Sequence, residues 1–493
     1  MPEKNINQQI KRTAKDSLYY LPTKIIPAIV GIALIRVLTT IFTPAEYGSY
    51  QITLATFGLL RIFSVMWLSS STMRFYLPAI KENKENSFLA TLFWGALAGA
   101  ILLAVTSYLI NWGIFKPRID RNLYNLVNIA IFASVFTAFF EIYVVAFRAK
   151  LQPQKYAFYW LLYAVGKPLL GLALIFIFNF RVDGIFIAFI VVPFILDALL
   201  FREFSLFRVL KTNKPEKKLF SQLFKYGSKL SISFLAFWIL SFSDRYLIEY
   251  FASSDQVGFY SVGYAISEKT LNFLYTILML AAYPIIIDNW ENHGKEYTSK
   301  LITELTKYFF IFCMPVLAML IMIPEKVLSL FASQTFIPGA KVLPLIACGI
   351  FINGLSQYVI KGFELYKKTN YIAVIALSVS ILNIVLNIIL IPRLGILGAA
   401  FSSCLSYLVY FVFAYLGTRS FMVFLPPWRT IGVVVFASTL FSFILWLGKI
   451  YAANSYYLFL IVAPVGVVIY FSVLFLFGEF NISFFKLLKG KTQ

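Results

Sequence analysis

The sequence predicts an all-α polytopic membrane protein, and three observations carry that prediction. Of 493 residues, 60% are hydrophobic and 13% charged, with a mean hydropathy of +0.80; soluble chains are ~45–50% apolar and ~25% charged. Apolar runs of ~20 residues, the length that crosses a ~30 Å hydrocarbon core as helix, follow one another with short polar breaks. Lysine and arginine gather in alternate breaks, the positive-inside pattern. That pattern accounts for the net charge of +21 without a nucleic-acid partner.

Fourteen spans are expected, near residues 19–42, 49–73, 87–112, 125–147, 156–178, 185–206, 222–250, 258–287, 301–324, 340–362, 370–391, 395–418, 429–449 and 456–478. The first sixteen residues are polar and the first apolar run is too long for a signal-peptide core, so no cleavable signal is expected. With the amino terminus inside, roughly 26 basic residues fall in inside segments against about eight outside. The inside set includes Lys4, Lys11, Arg12 and Lys15, the group between Arg202 and Lys225, and Lys486, Lys489 and Lys491. One loop dissents, with Lys116, Arg118 and Arg121 placed outside. The expectation is a multi-pass protein of a bacterial plasma (inner) membrane with both termini cytoplasmic.

The first two spans, Tyr19 to Pro78, organise the chain. They are joined by Thr43-Pro44-Ala45-Glu46-Tyr47-Gly48-Ser49-Tyr50, read as a short turn, and each carries an arginine, Arg36 and Arg61. Landmarks recur at nearly constant offset. Gly48 and Gly258 stand 210 residues apart, Gly184 and Gly395 stand 211 apart, and Tyr156 and Tyr371 stand 215 apart. The offset predicts a duplication of six spans. Six being even, both copies share one orientation, related by a pseudo-two-fold axis along the membrane normal. The expected domains are 1–210, 211–420, and a pair of further helices with a basic tail over 421–493. Pro168, Pro193, Pro284 and Pro315 fall within spans, where each removes a helical hydrogen bond and tends to kink.

Cys313, Cys348 and Cys404 all lie in apolar spans with no CxxC spacing, and read as small buried residues. The single histidine, His293, has no ligand type beside it. No metal site, cofactor motif, phosphate-binding glycine loop or nucleophile–base set is visible, so no catalytic residue is assigned.

Several stretches, taken in order, resemble the oligosaccharide flippase (Wzx-type) branch of the multidrug/oligosaccharidyl-lipid/polysaccharide exporter superfamily. They are Thr43–Tyr50, Met73-Arg74-Phe75-Tyr76, Ser243-Asp244-Arg245-Tyr246, Val257-Gly258-Phe259-Tyr260-Ser261, Leu382-Asn383, and Ile391-Pro392-Arg393-Leu394-Gly395-Ile396-Leu397-Gly398-Ala399-Ala400. The resemblance implies two six-helix bundles in a V with two helices added. It implies flipping of polyprenyl-diphosphate-linked oligosaccharide from the cytoplasmic to the outer leaflet, membrane lipid as surroundings, and a cavity lined by basic residues. A coupling proton or sodium ion and a glycan polymerase are the further partners it suggests.

The charges inside spans are the candidate site. A diphosphate leaving water needs compensating cations, and arginine can meet it bidentately. Arg61 lies ~20 Å along its helix from Gly48, Lys269 ~16 Å from Gly258, and Arg36 ~9 Å from Phe42. These depths favour a cavity, with an internal ion pair as the alternative. Arg245 joins them as substrate-binding; Lys24 and Arg74, near the inner ends, are also included, although snorkelling explains them. Asp244 and Glu268 are gate candidates, each adjacent in sequence to a basic residue that points elsewhere on a helix. Glu141, Asp197 and Lys167 are candidates for ion coupling or for structural pairing. Asn383 and Asn387, at i and i+4, suit helix–helix hydrogen bonding. A cation-coupled multidrug antiporter is the nearest alternative, but the first span carries Lys24 and Arg36 and no carboxylate. A membrane glycosyltransferase or polymerase is less favoured, because no large outer loop is present.

Overall fold

The computed structural model describes residues 19–117, 120–422, 424–451 and 457–479. Among them there is no strand, and 13 helices are long and apolar enough to cross a membrane. The expected Arg118, the amino-terminal basic group and the carboxy-terminal basic tail lie outside the described residues.

The chain separates into two compact units, dividing between Trp238 and Ile239. The first contains α1 (Pro22–Ile41), α2 (Pro44–Arg61), a π-helical turn (Ile62–Met66) and α3 (Trp67–Lys81), followed by α4 (Glu85–Ile110), α5 (Arg121–Ala149), α6 (Pro153–Phe178), α7 (Val182–Glu203) and α8 (Leu206–Thr212). α9 (Lys217–Phe251) runs across the division. Its first half belongs to the first unit for reasons visible in the contacts. Ser71 Oγ donates to the Leu223 carbonyl at 2.7 Å, and Trp238 Nε1 donates to the Ala55 carbonyl at 3.1 Å. At Gly227 a Cβ would lie 2.1 Å from the Trp67 carbonyl oxygen, so only glycine permits this approach.

The second unit holds α10 (Ser254–Met322), α11 (Pro324–Phe331), a 3₁₀ segment (Gln334–Val342), α12 (Leu343–Val359), α13 (Lys361–Leu365), α14 (Thr369–Leu394), α15 (Ile396–Arg419), α16 (Trp428–Tyr451) and α17 (Ala463–Leu476). α10 is 69 residues long and contains two of the fourteen expected spans; Gly294, at φ 75° and ψ −166°, breaks it between them. His293 stands on this helix beside that break, with its ring 5.0 Å from that of Tyr297.

The stretch read as a turn, Thr43–Tyr50, is mostly helix. Thr43 caps α2: its backbone N–H donates to Glu46 Oε2 at 2.9 Å, and Glu46 N–H donates to Thr43 Oγ1 at 3.3 Å. This reciprocal capping box, with proline at the first helical position, starts the helix before the apolar run begins. Half of this device recurs at the start of α10, where Ser253 Oγ accepts from Gln256 N–H, 210 residues after Thr43 and Glu46.

Candidate functional site

Arg61 ends α2 at the centre of the 38-residue stretch Pro44–Lys81. The next five residues form the π-helical turn, a local irregularity that often marks functional sites. The Arg61 Nε donates to Glu141 Oε1 on α5 at 2.6 Å. The pair is asymmetric in exposure: the Arg61 side chain is 31% exposed and that of Glu141 7%. Glu141 is therefore the buried anchor, and the guanidinium keeps donors for something else. An arginine has five N–H donors, and one of these is used here.

Lys167, on α6, brings a second cation. Its Nζ lies 3.7 Å from the centre of the Tyr163 ring and 4.2 Å from that of Phe189 on α7. Tyr163 is one turn earlier on the same helix, so the pair shares a face; Phe189 is supplied by tertiary packing. Lys167 precedes Pro168, which cannot donate to the Ala164 carbonyl. Both basic residues thus stand at breaks in regular helical hydrogen bonding. The site holds two basic side chains against one carboxylate, near mid-helix. Such an arrangement can hold an anion that has left bulk water.

The second unit contains a different charged centre. Asp244 and Arg245, 1% and 3% exposed, bond to each other although adjacent on one helix. Asp244 Oδ1 accepts from Arg245 Nη1 at 3.1 Å and from the Arg245 backbone N–H at 2.9 Å. Arg245 Nη1 also donates to the Ser241 carbonyl at 2.6 Å, and the Tyr260 hydroxyl donates to Asp244 Oδ2. The guanidinium packs 4.8 Å from the ring centres of both Phe242 and Tyr264. Nearby, Asn387 Nδ2 donates to Asn383 Oδ1 at 3.1 Å and Asn383 Nδ2 donates to Ser406 Oγ at 3.1 Å, the helix-joining role expected of these asparagines.

The remaining predicted residues are scattered. Lys24 and Arg36 are exposed on α1. Arg74 is exposed on α3 and stacks over Phe75 and Tyr226. Lys269 is half-buried on α10 beside Glu268, whose Oε1 accepts from Asn272 Nδ2 at 3.5 Å. Asp197 is buried on α7. Of the three cysteines, Cys313 is buried as expected, whereas Cys348 and Cys404 are half-buried. The π-helical turn and the Phe189 ring were missed by sequence reasoning: Ile62–Met66 contains neither glycine nor proline, and nothing local pairs Phe189 with Lys167.

Comparison with known proteins extends this picture. An uncharacterized membrane protein of Methanocaldococcus jannaschii is 22% identical over 414 residues, covering 77% of this chain and 79% of that protein. A Haloferax volcanii protein described as "Probable low-salt glycan biosynthesis flippase Agl15" is 20% identical over 236 residues, covering 47% of this chain and half of that protein's length. The solved structure of the lipid II flippase MurJ in an inward closed conformation superposes with a TM-score of 0.74 at 16% identity, covering 94% of this chain and 98% of that one. The chain therefore shares the fold of that structure. A family model described as polysaccharide biosynthesis protein matches residues 13–290, more than half of the chain. The chain belongs to the polysaccharide biosynthesis protein family.

Proposed function

We propose that this protein is a flippase that moves polyprenyl-diphosphate-linked oligosaccharide from the cytoplasmic to the outer leaflet of the plasma membrane by alternating access. The observation that carries the proposal is the Arg61–Glu141–Lys167 group, in a family named for polysaccharide biosynthesis. A guanidinium one-third exposed at the centre of a span is too costly to leave in lipid, so it faces water or a charged ligand. The diphosphate meets Arg61 and Lys167, while the polyprenyl tail stays in lipid. No covalent bond is made or broken. The termini are placed in the cytoplasm, and the six-span halves 1–210 and 211–420 are the moving parts, with 421–493 appended. The antiporter alternative is disfavoured by the absence of a carboxylate from the first span.

The test is complementation of cells in which export of lipid-linked sugars is blocked, with wild type and Arg61→Ala matched for membrane abundance. Surface glycan restored by wild type and reduced about tenfold or more by Arg61→Ala is expected, a loss equivalent to ~1.4 kcal/mol or more of binding. Equal restoration by both would remove Arg61 from the site.

A further inference from the structure

The described residues include four buried acidic side chains: Glu141, Asp197, Asp244 and Glu479. Three are paired with cations, Glu141 with Arg61, Asp244 with Arg245, and Glu479 with Lys307 and Arg429. Asp197 differs. It is 7% exposed, and neither carboxyl oxygen has a hydrogen-bond partner among the described residues. Its surroundings include the core residues Leu196, Leu200 and Phe204. Tyr143 on α5 lies within electrostatic reach, and its hydroxyl is likewise buried and without a partner.

An ionised carboxylate without a cation or hydrogen bond in a membrane interior is among the costliest arrangements a protein can hold, and such a group neutralises instead. We infer that Asp197 is a proton-binding site: it carries a proton in this conformation and gives it up when the first unit rearranges. A proton suits the site better than a metal ion, since no cluster of three or more His, Cys, Asp or Glu able to hold a metal occurs among the described residues.

Of the titratable and charged groups on the elements packed around α7, Tyr143 on α5 and Tyr163 on α6 lie within electrostatic reach of Asp197. Glu141 on α5, Lys167 on α6 and Arg61 on α2 form the basic site, and Lys155 on α6 pairs with Glu203 near the end of α7. On α8, Arg208 and Lys211 are exposed. Glu141 and Arg61 already occupy each other, and Lys167 sits against its aromatic rings. The same helix links Asp197 to the basic site. Phe189, whose ring covers Lys167, stands eight residues before Asp197, ~12 Å along the helix, and Pro193 lies between them. Pro193 cannot donate to the Phe189 carbonyl, so α7 can bend between proton site and cation site. Loss of the proton would leave a bare charge in the core, and bending to rehydrate it shifts the Phe189 ring off Lys167. Coupling of proton release to export rests on the flippase reading; the protonated state of Asp197 does not.

The experiment is infrared spectroscopy of the full-length protein in lipid nanodiscs, reading the carbonyl stretch of protonated carboxyl groups near neutral pH. A protonated-carboxyl band is expected in wild type, titrating away at alkaline pH, and missing from Asp197→Asn. Absence of the band from wild type overturns the proposal, as does a band of equal size in a folded Asp197→Asn; the wild-type spectrum decides alone if the variant does not fold. In proteoliposomes, a pH gradient should accelerate lipid-linked sugar export severalfold in wild type and not in Asp197→Asn. A wild type that shows the band but exports no lipid-linked sugar would sink the flippase reading and leave the proton site standing.

Discussion

Arg61–Glu141 in the first unit and Asp244–Arg245 in the second are both arginine–carboxylate pairs within long helices, and the two are built oppositely. Arg61 and Glu141 come from α2 and α5, 80 residues apart, and the arginine remains one-third exposed. Asp244 and Arg245 are adjacent on α9, both sealed, with Tyr260 and the Ser241 carbonyl satisfying more of their hydrogen-bonding capacity. The first pair stands at a π-helical turn beside a second, proline-flanked cation; the second stands in regular helix. A sealed pair is costly to disturb, and Arg245 Nε, buried with no hydrogen-bond partner among the described residues, is closed off from solvent. An open pair with an unequal count of charges has both a reason and a means to bind an anion. On the flippase reading, the difference leaves structural work to the second unit's pair and makes the first's the proposed ligand contact.

The comparison breaks most directly on stability. Arg245→Ala leaves Asp244 buried and unpaired, and about 3–5 kcal/mol of stability should be lost. Arg61→Ala leaves Glu141 beside a space that water can enter, and about 1–2 kcal/mol is expected. Thermal unfolding of both variants in one detergent measures the ordering; a larger loss for Arg61→Ala would reverse the assignment. Tyr260→Phe removes a hydroxyl that donates to a buried carboxylate and should cost about 1.5–3 kcal/mol. Its export in the complementation assay, at matched abundance, should stay near wild type, because nothing in that network is offered to substrate.

The smallest effect lies outside the spans, at Glu479. Burial alone would raise its carboxyl, but hydrogen bonds from Thr430 and Lys307, with Arg429 near, hold it below the ordinary value. A depressed folded-state value means that its stabilisation is present above the unfolded-state value and is lost as pH falls through the folded one. Acidification should therefore weaken wild type slightly more than Glu479→Gln, as read by unfolding temperatures at pH 7 and pH 4. Equal slopes would show the cluster to be without effect on stability.

Hydropathy and helical spacing revealed most of the fold before any coordinate. The spans were legible and Arg61 and Glu141 stood out among the internal charges, because a membrane imposes long apolar helices and makes each such charge conspicuous; the cap at Thr43 was not, and its stretch reads as a turn. The pairing of Arg61 with Glu141 was open, since the residues are distant in sequence and either could have met another partner. Asp244 and Arg245 looked like neighbours pointing apart; long side chains on one helix can still curl together, and only the surrounding aromatic wall holds them so.

The sequence by itself determined that the chain is a multi-span helical protein, roughly where its spans lie, and which few charges must be accounted for within them. Apolar run length sets these, and it acts along single helices. Only the tertiary structure decided which charge is paired, which is sealed and which is left open. Those outcomes depend on what neighbouring helices bring: Glu141 to Arg61, Phe189 to Lys167, and to Asp197 no hydrogen-bond partner among the described residues.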